Sequence, residues 1–194
     1  MRHRIPMILA ALALLLCTTI VSAQAPPAPP KPGPEVKAMG AMIGAWSASY
    51  DMKPSPDMPK GGKATSGRTC AWTAGGFGIS CTESMNMAGI GKVTSVNLMF
   101  YDPEAKNYIY SEVSTTGEAF TVRGVNNGDT WVFDNDATMQ GKPMHTRFTV
   151  KYTSKNACDI KFEAGADANS MQVVMTGTET KKAAAPVAAK PTKK

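Results

Sequence analysis

Residues 70–81 read CAWTAGGFGISC: two cysteines close an aromatic-rich segment that folds back over Gly75 and Gly76. A Gly-Gly pair between alternating runs marks a two-residue hairpin turn. With that turn, Ala74 faces Phe77, Trp72 faces Ile79 and Cys70 faces Cys81. Carried outward, the register sets Arg68 opposite Glu83 on the same face, an opposite-charge pair that supports the alignment. Directly opposed strand residues lie near the span that a disulfide needs. A strict two-residue turn makes 70/81 a hydrogen-bonded pair, a less relaxed site for a bridge, so a bulge that shifts the phase is one way to accommodate it. Zinc would require a tetrahedral ligand set, and beyond the leader the chain offers Cys70, Cys81, Cys158 and a lone His145. A redox pair would be C-x-x-C. The two cysteines read as a disulfide staple, with Cys158 left as a buried free thiol.

The same grammar extends along the chain. From residue 35, short alternating runs are separated by turn residues, the all-β pattern. Ten strands are expected near 45–52, 63–73, 77–86, 92–101, 107–115, 118–125, 129–136, 144–154, 157–164 and 171–181. Connections such as DPEAK, TTG, NNGD, QGKP and SKN are of hairpin length, which makes successive strands antiparallel neighbours. A meander of this length closes to remove its edges, giving an antiparallel up-and-down β-barrel of about ten strands; a two-sheet sandwich is the alternative. Glu35 to Met42, after Pro34, has helical spacing and forms a short N-terminal helix. Period-two alternation turns Met144, Phe148, Val150 and Tyr152 inward and His145, Arg147 and Lys151 outward; Cys158, Ile160 and Phe162 likewise face in.

The N-terminus carries an address. Arg2 and Arg4 precede the apolar run IPMILAALALLLC, and VSA at Val21–Ala23 supplies small residues for cleavage, so residues 1–23 read as a signal peptide. The apolar run is short for a membrane span, and the three leucines before Cys17 are too bulky for lipoprotein processing. Residues 24–34 form a Pro-rich spacer, residues 35–181 the barrel domain, and residues 182–194 a disordered basic tail. The net charge of +6 lies outside the folded part: residues 32–180 hold 13 Lys and Arg against 15 Asp and Glu, a net of −2. A nucleic-acid partner is therefore excluded for the domain. No stable membrane insertion is expected once the leader is removed.

The pieces PGPE, GAW, MKPSP, GKATSG, CAWTAGGFGISC, YDPEAKNY, GDTW and GK followed by TRFT carry a resemblance. Over residues 32–181 the chain resembles a family of exported bacterial proteins known only as a domain of unknown function, number fifteen-seventy-nine. Gly44-Ala45-Trp46 stands where members usually show Gly-Thr-Trp. The resemblance implies a lipocalin-like closed barrel with a short helix plugging one end and Trp46 packed as the barrel-closing core residue. It implies no activity.

The candidate chemistry is sparse. His145 could hold haem in a barrel, but alternation puts it on the outer wall. The same shortage of histidine removes most acid–base catalysis, and GISCT lacks the second glycine of a nucleophile elbow. Met85 and Met87 have the spacing of thioether copper sites, with Met52 and Met58 in another loop, yet methionine also fills irregular cores. Arg123 is expected outside as a solvated charge; the opposite phase would let it grip a carboxylate. No cofactor or metal is expected. Three functions stay open: a non-catalytic binding module for a small apolar or amphipathic molecule, a structural or protein-interaction domain with a filled barrel, and an enzyme. For the first, Met144, Phe148, Val150, Ile160 and Phe162 would line an apolar ligand cavity.

Overall fold

The computed structural model describes residues 30–54, 58–139 and 141–183. The chain divides into two units, residues 1–31 and 32–194. The signal-peptide reading and most of the spacer and tail readings lie outside the described residues.

Ten antiparallel strands close into one barrel, each paired with its neighbours in sequence. They are β1 Gly44–Met52, β2 Gly62–Thr73, β3 Gly78–Met87, β4 Gly91–Asp102 and β5 Asn107–Ser114. The second half comprises β6 Ala119–Asn127, β7 Thr130–Met139, β8 Lys142–Ser154, β9 Ala157–Gly165 and β10 Gln172–Lys181. The sandwich alternative falls, because β1 pairs with β10 from Trp46↔Lys181 to Met52↔Met175 and leaves no open edge there.

Local chemistry sets the turns. Between β2 and β3, Gly75 and Gly76 take the positive φ values, 65° and 91°, that a tight hairpin turn of this hand requires. The amide of Phe77 donates to the carbonyl of Ala74 across it. No register shift interrupts the ladder, so Cys70 lies directly opposite Cys81 with no bulge between. In DPEAK the Asp102 carboxylate accepts the amides of Glu104 and Ala105, both at 3.1 Å, an Asx turn. At Gly124, on β6, a side chain would collide with the Phe133 ring and lie 2.6 Å from the Val132 carbonyl; the wall needs a residue without Cβ there.

The N-terminal plug is shorter as an α-helix than its sequence spacing suggests. α1 covers Pro34–Ala38, and Met39–Met42 tightens into a 3₁₀ turn. Pro34 sits in the first turn, where its missing N–H costs nothing. The plug closes the end of the barrel where β1 begins. There the Tyr108 hydroxyl donates to the Glu35 carbonyl (3.0 Å), and the Trp46 indole donates to the Met42 carbonyl (3.0 Å). Trp46, Trp131, Met39, Ile79 and Cys158 are the largest fully buried side chains.

Candidate functional site: an acidic lumen beneath a methionine collar

The two ends of the barrel differ. At the plugged end inward side chains fill the interior: Tyr108 stacks edge-on to Trp131 at 4.6 Å, Tyr152 meets Trp46 edge-on at 6.0 Å, and the Lys181 ammonium lies 5.3 Å from the Trp46 ring centre. Trp46 thus takes the core position that its Gly-x-Trp context implies. Val150 and Ile160 belong to this packing, paired with each other and buried beside Trp131. At the opposite end, where β1 stops and β2 starts, inward residues remain half-buried. They include Met52, Met85, Met87, Met175 and Phe148, packed on the core from above. Met144 and Phe162 share their inward parity and half-burial, and the Phe148 and Phe162 rings lie 6.4 Å apart. Of the five residues expected to line a cavity, Met144, Phe148 and Phe162 therefore face the open half, whereas Val150 and Ile160 are taken by the core.

Between the collar and the plug lies a polar layer. Arg68 on β2 forms an ion pair with Glu179 on β10, across β1, with side chains only 15% and 5% exposed. The Tyr50 hydroxyl donates to the other Glu179 oxygen (3.0 Å), and the Cys158 thiol lies 3.9 Å from the carboxylate. A second Arg68 nitrogen rests 3.6 Å from the Cys70 sulfur. Glu83 faces the same space beside Ser66, and Tyr110 donates to Glu112 from the β5 side. Below the rim the lumen thus holds one guanidinium and three carboxylates among the described residues; Lys181 sits apart at the plugged end, and Lys142 is exposed at the rim.

Burial governs the protonation of this layer. It pushes the Glu83 carboxyl above the usual range, against the opposing pull of the Ser66 hydrogen bond and the Arg68 charge. Burial, then the Glu179 charge, drives the Tyr50 hydroxyl far up; burial, then Glu112, does the same to Tyr110. Burial works to lower the pKa of Arg68, but the Glu179 charge and hydrogen bond outweigh it and keep the group cationic. The Cys158 thiol is pushed up to about 12, first by burial and then by Glu179. Cys158 is a free, buried thiol, but its neighbour is a carboxylate rather than a purely apolar shell.

The cysteine pair is a disulfide: the Cys70 and Cys81 sulfurs are 2.02 Å apart and their Cα atoms 4.1 Å. The Cα spacing is nearer that of a non-hydrogen-bonded pair than of the hydrogen-bonded pair the turn implies. Both cysteines point inward, so the Arg68–Glu83 pair read as a register marker also points inward and forms part of the lumen's floor. Sequence reasoning placed these two residues together without assigning them to the interior. Period-two parity from the buried Cys70 and Cys81 was the signal available for that.

The remaining candidates sit on the outer wall. His145 bonds through Nδ1 to Asp136 at 2.7 Å, with Nε2 3.5 Å from Asp134. Arg123 is exposed and reaches Asn107 at 2.9 Å and Asp102 at 3.3 Å. Met85 and Met87 belong to the collar, and no group of three or more His, Cys, Asp or Glu side chains suited to a metal ion occurs among the described residues. The outer surface of β4–β6 carries an open, mainly apolar depression lined by Val96, Leu98, Val113 and Ala119. No helix among the described residues is long and apolar enough to cross a membrane.

Residues 31–181 match the family model described as "Protein of unknown function (DUF1579)", and the chain belongs to that family. A comparison with curated proteins finds no match. Among solved structures, the S-type phycobiliprotein lyase CPES from Guillardia theta is similar at TM-score 0.51 and 9% identity, over 77% of this chain and 93% of that one. The protein Rv2717c from M. tuberculosis is similar at TM-score 0.45 and 11% identity, over 79% of this chain and all (100%) of that one. A de novo designed fluorescence-activating β-barrel is similar at TM-score 0.41 and 11% identity, over 75% and 97%. At these identities the likeness concerns the barrel fold.

Proposed function

We propose that this DUF1579 protein is an exported, non-catalytic binding module that takes a small amphipathic molecule into the open half of its barrel. The observation that carries the reading is the contrast between the two ends. Inward residues are completed by the protein's own core at the plugged end, while Met52, Met85, Met87, Phe148 and Met175 remain half-buried at the other. An apolar collar above a few convergent polar groups is the usual make-up of a small-molecule site. Methionine suits it because the unbranched thioether adapts to irregular shapes. The apolar body of the ligand would displace water from the collar, and its polar end would meet the layer formed by Arg68, Glu83 and Glu112.

The chemistry supports binding rather than turnover. A thiol that burial keeps protonated is a poor nucleophile at neutral pH, and His145 faces away from the lumen. The inward disulfide agrees with an oxidising compartment, as the leader-like N-terminus does. The test is a neutral, environment-sensitive naphthalene-type probe. Saturable fluorescence gain, lost when Met85 and Met87 are both changed to Asp, is the expected result. Absence of saturable binding by any apolar probe would refute it. Native mass spectrometry of protein from its own host should show a co-purifying small molecule.

A second reading, a structural or interaction domain, has its own observation: Val96, Leu98 and Val113 stand exposed together on the outer wall. Absence of probe binding, together with loss of a protein partner on Val96→Lys/Val113→Lys, would favour it.

A further inference from the structure

Resting on that binding reading, we propose that the polar end of the ligand is an uncharged hydrogen-bond acceptor, such as the carbonyl of a ketone, ester or amide. Amphiphiles with carboxylate heads are selected against. The juxtaposition behind this is a set of unpartnered donors beside an excess of carboxylates. Asn97 points inward from β4, is 3% exposed, and stands in register between Cys81 and Glu112. Its Nδ2 meets no acceptor, and neither does Arg68 Nε on the far side of the disulfide or the Tyr152 hydroxyl near Trp46. The guanidinium is anchored elsewhere, by Glu179 and against the Cys70 sulfur, so Nε is held in place without a partner.

A buried N–H without an acceptor is costly, and an oxygen supplied to it recovers that loss. Glu112, the partner of Asn97 across β4–β5, is half-buried and faces the lumen. The amide thus lies one cross-strand step from an inward residue that is not fully shielded from solvent. Three head-group classes differ in how they meet this layer. A carboxylate could accept from Asn97 but would bring a further negative charge beside Glu83, Glu112 and Glu179, with one Arg68 already engaged. An ammonium would be drawn to these carboxylates, but it carries no acceptor for the unmet Asn97 and Arg68 donors, approaches the Arg68 cation and must shed its own hydration to enter. A neutral carbonyl accepts without adding charge, and its apolar substituents fit the methionine collar.

Displacement of the naphthalene-type probe from the full chain by a matched series tests this: 2-decanone, decanoate, decylamine and decane at pH 7.5. The ketone is expected to displace the probe at a concentration about tenfold lower than each of the others, the size of one buried hydrogen bond. Asn97→Leu should bring the ketone to within about twofold of decane, both measured on that variant; Asn97→Ala serves the same comparison if the leucine variant does not fold. Decanoate or decylamine equalling the ketone would overturn the head-group assignment. So would a ketone no better than decane, or one whose advantage survives loss of the amide. In each case probe binding itself would stand. No binding of the probe at all would instead remove the reading on which the inference rests.

Discussion

Changing Glu179 to Leu deletes one half of the buried ion pair and leaves the Arg68 guanidinium in the lumen without its counter-charge. Both side chains are largely shielded from water, at 15% and 5% exposure, so solvent can do little to compensate. Loss of one partner from a buried pair costs about 3–5 kcal/mol. The Tyr50 hydroxyl loses its 3.0 Å acceptor in the same step, adding about 1 kcal/mol to that cost, and the sum is about 5 kcal/mol. With a urea m-value of about 2 kcal/mol/M, the unfolding midpoint should fall by about 2.5 M. The double variant Arg68→Met/Glu179→Leu removes both charges and refills the space with apolar side chains of similar volume. Such replacements are often neutral or stabilising, so its midpoint should return to within about 0.5 M of the wild type. Urea denaturation by tryptophan fluorescence, with the disulfide intact, reads all the values. A single-variant shift below about 0.5 M would show that the pair is not desolvated. A double variant no better than Glu179→Leu would show that the pair's geometry, not charge burial, sets the stability.

Three further outcomes follow from the same geometry. Alkylation of unreduced, unfolded protein should label Cys158 and leave Cys70 and Cys81 unmodified; opening their loop of about 12 residues by Cys70→Ser/Cys81→Ser should cost about 3 kcal/mol in the chain-entropy model. The His145 ring, bonded to Asp136 and near Asp134, should titrate above the ordinary histidine value in an NMR pH series, and Asp136→Asn should lower it. Because the folded value is the raised one, the stabilisation is fully present below the unfolded pKa and is lost as pH rises through the folded one. Glu83 is also raised in the fold, by burial first. The folded chain therefore binds the proton more tightly, and stability falls as pH climbs from the ordinary carboxyl range through the folded pKa. Glu83→Gln should accordingly raise the urea midpoint at pH 7 relative to the wild type and have little effect near pH 4.

Much of the fold was legible because its causes are local. Turn residues at hairpin spacing delimit ten strands within a residue or a few of those observed, and the Gly75-Gly76 turn fixes the ladder that brings Cys70 opposite Cys81. Alternation in β8 and β9 separated His145 and Arg147 from Phe148 and Ile160 because side chains on a strand change face at every step. The plug was legible as a helix from its spacing and from Pro34 at its start; its second half is a 3₁₀ turn whose last carbonyl, that of Met42, accepts the Trp46 indole. The sequence also identified Arg68 and Glu83 as neighbours. It did not reveal that their face is the inside of the barrel, nor that the interior beyond the core is acidic. Parity says which residues share a face, and only closure of β1 on β10 says which side chains meet across the enclosed space. Arg68 and Glu179 are 111 residues apart in sequence and on strands that do not touch each other. Their pairing, the split of the five expected lining residues between core and mouth, and the unpaired amide of Asn97 all depend on the shear and diameter of the closed sheet, quantities that no local pattern of hydrophobicity encodes.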